Sequence, residues 1–239
     1  MKYFIIIILT SILLSSTMQA QQDKQTSHKF SKEVKIDLSA NYLLYLPKDY
    51  SENEKEYPLV LFLHGAGERG DDLEKVKIHG LPKLINQGDD FPFIVVSPQC
   101  PDLMRWNTDI LSSLLDEIEG NYRIDKNRIY VTGLSMGGQG TWNLAIAEPN
   151  RFAAIAPVCG WADTSNACLI AHIPIWVFHG AKDNVVPVKA SEDMVSALRN
   201  CGSDVKLTIY PEANHDSWTE TYNNEELYKW FLEQSIDKK

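Results

Sequence analysis

The chain has no cluster of lysine or arginine, and its 23 basic residues are outnumbered by 32 acidic ones, for a formal net charge of −9. Nucleic acid and anionic membranes are held through basic patches, so neither is an expected partner. No apolar stretch is long enough to cross a bilayer, which takes ~20 consecutive apolar residues. Cysteine is sparse, and Cys100, Cys159, Cys168 and Cys201 show neither the C-x-x-C spacing nor the cysteine/histidine pairing of a zinc site. No metal and no other cofactor is therefore expected. Internal repeats and a long Gly/Ser linker are also missing, which leaves one domain as the expectation for 239 residues with 44% hydrophobic content.

The one distinctive apolar run lies at the front. Lys2 precedes residues 4–14, and small Ala20 is followed by polar Gln21-Gln22, the order found in a secretory signal peptide. Met18 is bulkier than the position two before a cut prefers, so the cut is less well defined than the signal. No Cys stands there, and no lipid anchor is implied. Residues 1–20 are expected to be a signal peptide, 21–33 a polar leader and 34–239 a single domain, in a secreted or periplasmic protein. Loss of 1–20 removes Lys2 and no acid, taking the net charge from −9 to −10. In an oxidising compartment four cysteines permit two disulfides with three pairings, among which the sequence does not choose. Cys100 and Cys159 each follow a strand and read equally as buried free thiols.

Strand-like segments fall at 34–38, 42–46, 58–63, 93–97, 129–132, 152–158, 175–178 and 205–210, eight in all. The first two, joined by Ser39-Ala-Asn41, read as an opening hairpin. The run 58–63 is apolar throughout, as in a strand buried on both faces. Between strands, 110–118 places Ile110, Leu111, Leu114, Leu115 and Ile118 on one helical stripe, and 141–147, 191–198 and 225–232 are further helix candidates. Alternation of strands and helices implies an α/β fold with a mostly parallel eight-stranded sheet covered on both faces, and ligands gathered at the carboxyl ends of its strands.

The chemistry concentrates at those ends. Strand 129–132 runs into Gly133-Leu-Ser135-Met-Gly137 and a helix follows. Such a strand-turn-helix lifts the serine hydroxyl above the sheet, and glycine on both sides lets strand and helix approach, so Ser135 is the expected nucleophile. Two strands on, Asp183 follows a strand end, and one strand later His215 occupies the equivalent loop. In this reading His215 takes the Ser135 proton and returns it to the leaving alcohol, while Asp183 holds the imidazole tautomer and stabilises its charged form. Two N–H donors must face the oxyanion: Met136, directly after the nucleophile at a helix start, and Ala66 in His64-Gly-Ala-Gly67, with Gly67 the next choice.

Other residues carry plainer expectations. His64 and His179 each precede Gly at a strand end and are read as shaping turns. His28, His79 and His172 lack supporting neighbours. Asp163 is the rival acid and Asp216 a loop residue. Glu68-Arg69-Gly-Asp71 could position an anionic substrate, but Arg69 is read as paired to a nearby acid that pins the loop. Trp106, Trp161 and Trp218 lie on loops at the catalytic edge, where flat apolar faces can stack on a sugar or an aromatic acyl group; each is also readable as loop packing.

The motifs Tyr57 to Gly70, Arg128 to Gly138, Phe178 to Pro187 and Asn214 to Trp218 together resemble an α/β-hydrolase of the carboxylesterase kind. The chain is most similar to secreted esterases related to carbohydrate esterase family 1 and the so-called predicted peptidases. That resemblance implies ester hydrolysis, including release of acetyl or feruloyl groups from plant polysaccharides. Trp161, in Cys159-Gly-Trp-Ala-Asp163, departs from the family by standing where further glycine is expected, which bears on the acyl pocket. Residues 160–173 are too short for the lid that lipases insert there, so an open site is expected. The reading is a secreted, metal-free serine carboxylesterase. Its rivals are a serine peptidase of the prolyl oligopeptidase type, for which no gating propeller is expected, and a non-catalytic carbohydrate-binding protein on the same fold.

Overall fold

The apolar runs of the sequence become the inner strands of a single sheet. The computed structural model describes residues 26–238; the expected signal peptide lies outside them. Contacts divide the chain into Met1–Ile36 and Asp37–Lys239. The described part of the first unit, residues 26–36, is irregular and exposes Phe30, Val34 and Ile36.

The second unit holds seven strands among the described residues: β1 (Tyr42–Tyr45), β2 (Tyr57–Leu63), β3 (Ile94–Pro98), β4 (Ile124–Leu134), β5 (Ala154–Val158), β6 (Trp176–Gly180) and β7 (Lys206–Tyr210). Their order in space is β1-β3-β2-β4-β5-β6-β7, with β1 antiparallel to β3 and the other pairs parallel. The expectation of eight strands is corrected to seven. Residues 34–38 alternate apolar and polar as a strand would, yet they are irregular and exposed. The opening hairpin is absent, and β1 pairs with β3 instead. Tight hairpin turns favour residues at positive φ, and none of Ser39, Ala40 and Asn41 adopts it.

Strand periodicity divides the core into two layers. On β2, Leu59, Leu61 and Leu63 enter one cluster with Leu111, Leu115, Trp142, Met194 and Leu198, while Val60 and Phe62 enter the other with Leu81, Tyr222, Leu227 and Phe231. The first layer is covered by α2 (Thr108–Asn121), α3 (Met136–Ala147) and α4 (Lys189–Asn200); the second by α1 (Gly80–Gln87), α5 (Trp218–Tyr222) and α6 (Glu225–Glu233). Each large apolar side chain buried this way contributes about 1.5–3 kcal/mol. Helix α2 starts where Asn107 Oδ1 accepts from Asp109 N and Ile110 N, and α1 ends at Gly88 in the left-handed region.

The segment between β5 and β6 contains a 3-10 turn, Thr164–Ile170, that buries Ala167 and Ile170 beneath it. Cys168 in this turn is bonded to Cys201 at the end of α4, whereas Cys100 and Cys159 are buried free thiols. The bridge staples the loop to the scaffold. Across a sequence separation of 33 residues, it should stabilise the fold by about 3–4 kcal/mol through the unfolded chain. Thiol titration of denatured, unreduced protein should find two reactive thiols, and Cys168→Ser should lower the unfolding free energy by about that amount. Four thiols, or an unchanged stability, would contradict the pairing.

Candidate active site

At the carboxyl end of β4 the chain turns abruptly into α3, and Ser135 sits at the turn with φ 53 and ψ −112. A side chain other than glycine rarely holds that conformation, and the surrounding contacts over-determine it. A Cβ on Gly137 would lie 1.9 Å from the Leu63 carbonyl oxygen, and one on Gly133 would lie 2.6 Å from that oxygen and from Gly137 O. Both positions must therefore be glycine for α3 to sit against β2 and β4. Ser135 N donates to Val158 O of the neighbouring strand at 2.9 Å, which fixes the turn from the other side.

The loops after β6 and β7 bring the next two groups to this hydroxyl. Ser135 Oγ lies 2.9 Å from His215 Nε2, and His215 Nδ1 lies 2.7 Å from Asp183 Oδ2. Asp183 Oδ1 accepts from the N–H groups of Val185 and Val186, each at 2.9 Å. Burial alone would raise the Asp183 carboxyl; the bond from His215 and these two N–H groups outweigh it and hold the group below the usual carboxylate range. An ionised Asp183 keeps the Nδ1 proton of His215 in place and leaves Nε2 free to accept from Ser135. The rival acid, Asp163, is exposed and caps the 3-10 turn through Ser165 N, and Asp216 accepts from Thr219 N at the start of α5. His179, buried beneath the loop, meets Ser191 Oγ through Nδ1 and donates to Val186 O through Nε2, which lies 3.2 Å from Asp183 Oδ2.

The loop after β2 is built as tightly. His64 Nδ1 donates to Gly65 O at 2.6 Å and Nε2 accepts from Cys100 N at 2.9 Å, a pattern only the neutral ring satisfies. Burial, aided by the Arg69 charge and opposed by the Gly65 bond, lowers its pKa to about 4. Ala66 opens the 3-10 turn Ala66–Glu68, so its N–H and that of Gly67 have no acceptor within the turn, as Met136 has none within α3. Arg69 pins this loop through Ala66 O and Met104 O rather than through an acid. Glu68, in the run expected to position an anionic substrate, is instead buried and accepts from Gly65 N at 2.8 Å, closing the loop on itself. The spacing of three residues between the bonded groups is the cue, since it is that of a side chain folding back on its own turn.

The three tryptophans have different neighbours. Trp106 donates its indole N–H to His64 O at 3.1 Å and sets its ring edge on His64. Trp161 is half-buried, with the Arg105 guanidinium 5.7 Å from its ring centre, and Arg105 in turn bonds Gln139 Oε1. Trp218 lies between His215 and His79, 5.3 Å from each ring. His79 thus has partners the sequence did not reveal, including Glu68 Oε1 at 3.9 Å.

Beneath the serine lies Cys159, whose thiol is within 4.8 Å of the donor atoms of Asp183 and His215. Burial pushes that thiol up to about 12. A protonated thiol is a poor metal ligand, and the carboxylate and imidazole are bonded to each other, so these donors fit proton transfer better than cation binding. A serine hydroxyl on an imidazole, oriented by a carboxylate and flanked by helix-start N–H groups, is suited to attack on an acyl carbon.

Fold and site together define an α/β-hydrolase. The chain belongs to the dienelactone hydrolase family, which it matches over residues 102–229. It is 28% identical over 198 residues to the bifunctional acetylxylan esterase/xylanase XynS20E of Neocallimastix patriciarum, covering 78% of this chain and 27% of that protein. Among solved structures it resembles a thermostable esterase at 38% identity with a TM-score of 0.71, covering 81% of this chain and 59% of the other. A ferulic acid esterase shares the fold at 22% identity and a TM-score of 0.60, covering 80% and 89%. The chain therefore spans less than two thirds of either of the first two, 27% and 59% of their lengths.

The buried neutral His64 carries a pH prediction. Unfolded, this ring takes a proton below its ordinary 6.5, but folded it does so only near 4. Between those values the unfolded state binds more protons, so the contribution is complete above 6.5 and is lost as pH falls towards 4, by up to ~3 kcal/mol. Urea unfolding at pH 7 and pH 4 should show that loss in the native protein and a smaller one in His64→Gln. Equal losses would contradict the assignment.

Proposed function

We propose that the protein is an exported serine carboxylesterase that removes short-chain or aromatic acyl groups from plant polysaccharides through an acyl-enzyme intermediate. The observation that carries this reading is the relay Ser135 Oγ, His215 Nε2, His215 Nδ1, Asp183 Oδ2, with steps of 2.9 and 2.7 Å on a strained turn. Ser135 Oγ attacks the ester carbonyl as its proton passes to His215 Nε2. The C=O electron pair moves onto oxygen, where Met136 N–H and Ala66 N–H receive the charge; each such donor contributes roughly 3 kcal/mol to the transition state. When the intermediate collapses, the bond to the alcohol breaks and His215 returns the proton to the leaving oxygen. Water then repeats the sequence on the acyl enzyme, releasing the acid and restoring Ser135.

The substrate class rests on the rim. The segment between β5 and β6 is stapled down through Cys168 and Cys201 and carries a 3-10 turn, so it provides no apolar cap for a long acyl chain. Trp161, beside Arg105 and Gln139 of the first turn of α3, offers a flat face near the serine for an aromatic acyl group or a sugar. The relative named for acetylxylan supports a polysaccharide ester.

Ser135→Ala should lose esterase turnover by a factor of order 10⁵ to 10⁶ while unfolding at a similar temperature. Retention of a tenth of the rate would remove Ser135 as the nucleophile. On nitrophenyl esters of increasing length, kcat/KM should peak between acetyl and butyryl and collapse beyond about eight carbons, because no cap supplies the ~0.8 kcal/mol that each further buried methylene would contribute. A maximum on long-chain triglycerides would refute the open-site argument.

A further inference from the structure

A groove between α1 and the α5–α6 pair has no part in the ester chemistry. Near the catalytic edge it is a hollow of about 100 Å³ beside His79 and Trp218, and further along a cavity of about 470 Å³ beside Phe91 and Tyr228. Leu84, Tyr222 and Asn223 line both, so the two adjoin. The larger part alone is within the ~300–1,000 Å³ of small-molecule sites. Helix α1, which forms one wall, has 8 residues and a length of about 12 Å, more than a single sugar ring occupies.

The position of the groove assigns its side of the reaction. His215 hands its proton to the leaving oxygen, so the alcohol of the ester must lie on the histidine side of Ser135. Trp218 packs on His215, His79 packs on Trp218, and the hollow opens beside these two rings. An alcohol belonging to a long chain would continue from the reacting oxygen in this direction.

The lining assigns the chemistry. Lys83, Gln87 and Asn223 offer donors and acceptors at the upper end. Lower down, the ring of Tyr228 forms a wall, because its hydroxyl is committed to Tyr222 O, and Asp89 and Glu225 line the rim. Hydroxyl groups can donate to these carboxylates, and pyranose faces can lie on the aromatic wall. Asp90 and Lys229, the latter paired with Glu225 and Glu226, also line the rim, so that with Lys83 the lining holds three acids to two bases and an anionic chain would meet a net negative charge. We propose that this groove binds the glycan chain of the esterified polymer on the leaving-alcohol side and prefers a neutral pyranose chain to a uronic-acid chain, an inference that rests on the esterase reading above.

Calorimetric titration of full-length Ser135→Ala protein, which leaves its ligand unconsumed, tests the proposal. Xylohexaose should bind and a galacturonic-acid hexamer should not. Gln87→Ala and Asn223→Ala in that background should each weaken xylohexaose by about three- to tenfold, the loss of one or two hydrogen bonds. Crystals soaked with xylohexaose should show sugar rings between α1 and α6. Absence of binding, binding unmoved by both substitutions, or tighter binding of the acidic hexamer would overturn the groove. The native protein's turnover of nitrophenyl acetate is read separately: turnover without groove binding removes the groove alone, and no turnover removes the esterase reading.

Discussion

The structure depends on one close approach, that of α3 to the ends of β2 and β4. Gly137 lies where any Cβ would strike the Leu63 carbonyl, and Gly133 where it would strike both that carbonyl and Gly137 O. This contact forces the chain to reverse within two residues and holds Ser135 at positive φ. The strain costs about 1–3 kcal/mol and is offset by the packing around it, including Trp142 and Leu144 of α3 in the first core layer. A looser turn would lower the hydroxyl into the sheet and move the helix-start N–H groups away from it.

The buried polar groups around the site extend that rigidity. His64 is tied to Gly65 O and Cys100 N, Glu68 to Gly65 N, and His179 to Ser191 and Val186. None of these touches the serine. Each fixes a loop on which a proposed reacting or charge-stabilising group stands, and a buried group left without such a partner would cost ~1–3 kcal/mol. The proposed reacting groups are therefore held by a shell of hydrogen-bonded rings and short turns, with the Asp183 carboxylate beneath His215.

Much of this was legible in the sequence because it depends on local chemistry. The apolar run 58–63 announced an inner strand, and Gly133-Leu-Ser-Met-Gly137 announced the turn, since few other residues permit it. The order of Ser135, Asp183 and His215 put all three at strand ends, where the structure joins them by hydrogen bonds. What escaped depends on long-range pairing. Residues 34–38 have strand periodicity but form no strand, because periodicity describes a surface and cannot supply a partner. Helix α1 was hidden by Gly80 and Pro82 in its first turn, although Pro early and Gly88 at the end are themselves boundary signals. The choice of Cys168 with Cys201 required knowing that the 3-10 turn packs against α4.

The central claim is that Ser135 becomes acylated with His215 as its base. Peptide mapping by mass spectrometry after brief exposure to a fluorophosphonate, which traps a base-activated serine, tests it directly. The account predicts one adduct per chain, on the peptide containing Ser135, and loss of that adduct in His215→Ala. An adduct on another residue, or none while nitrophenyl acetate is still consumed, would contradict it.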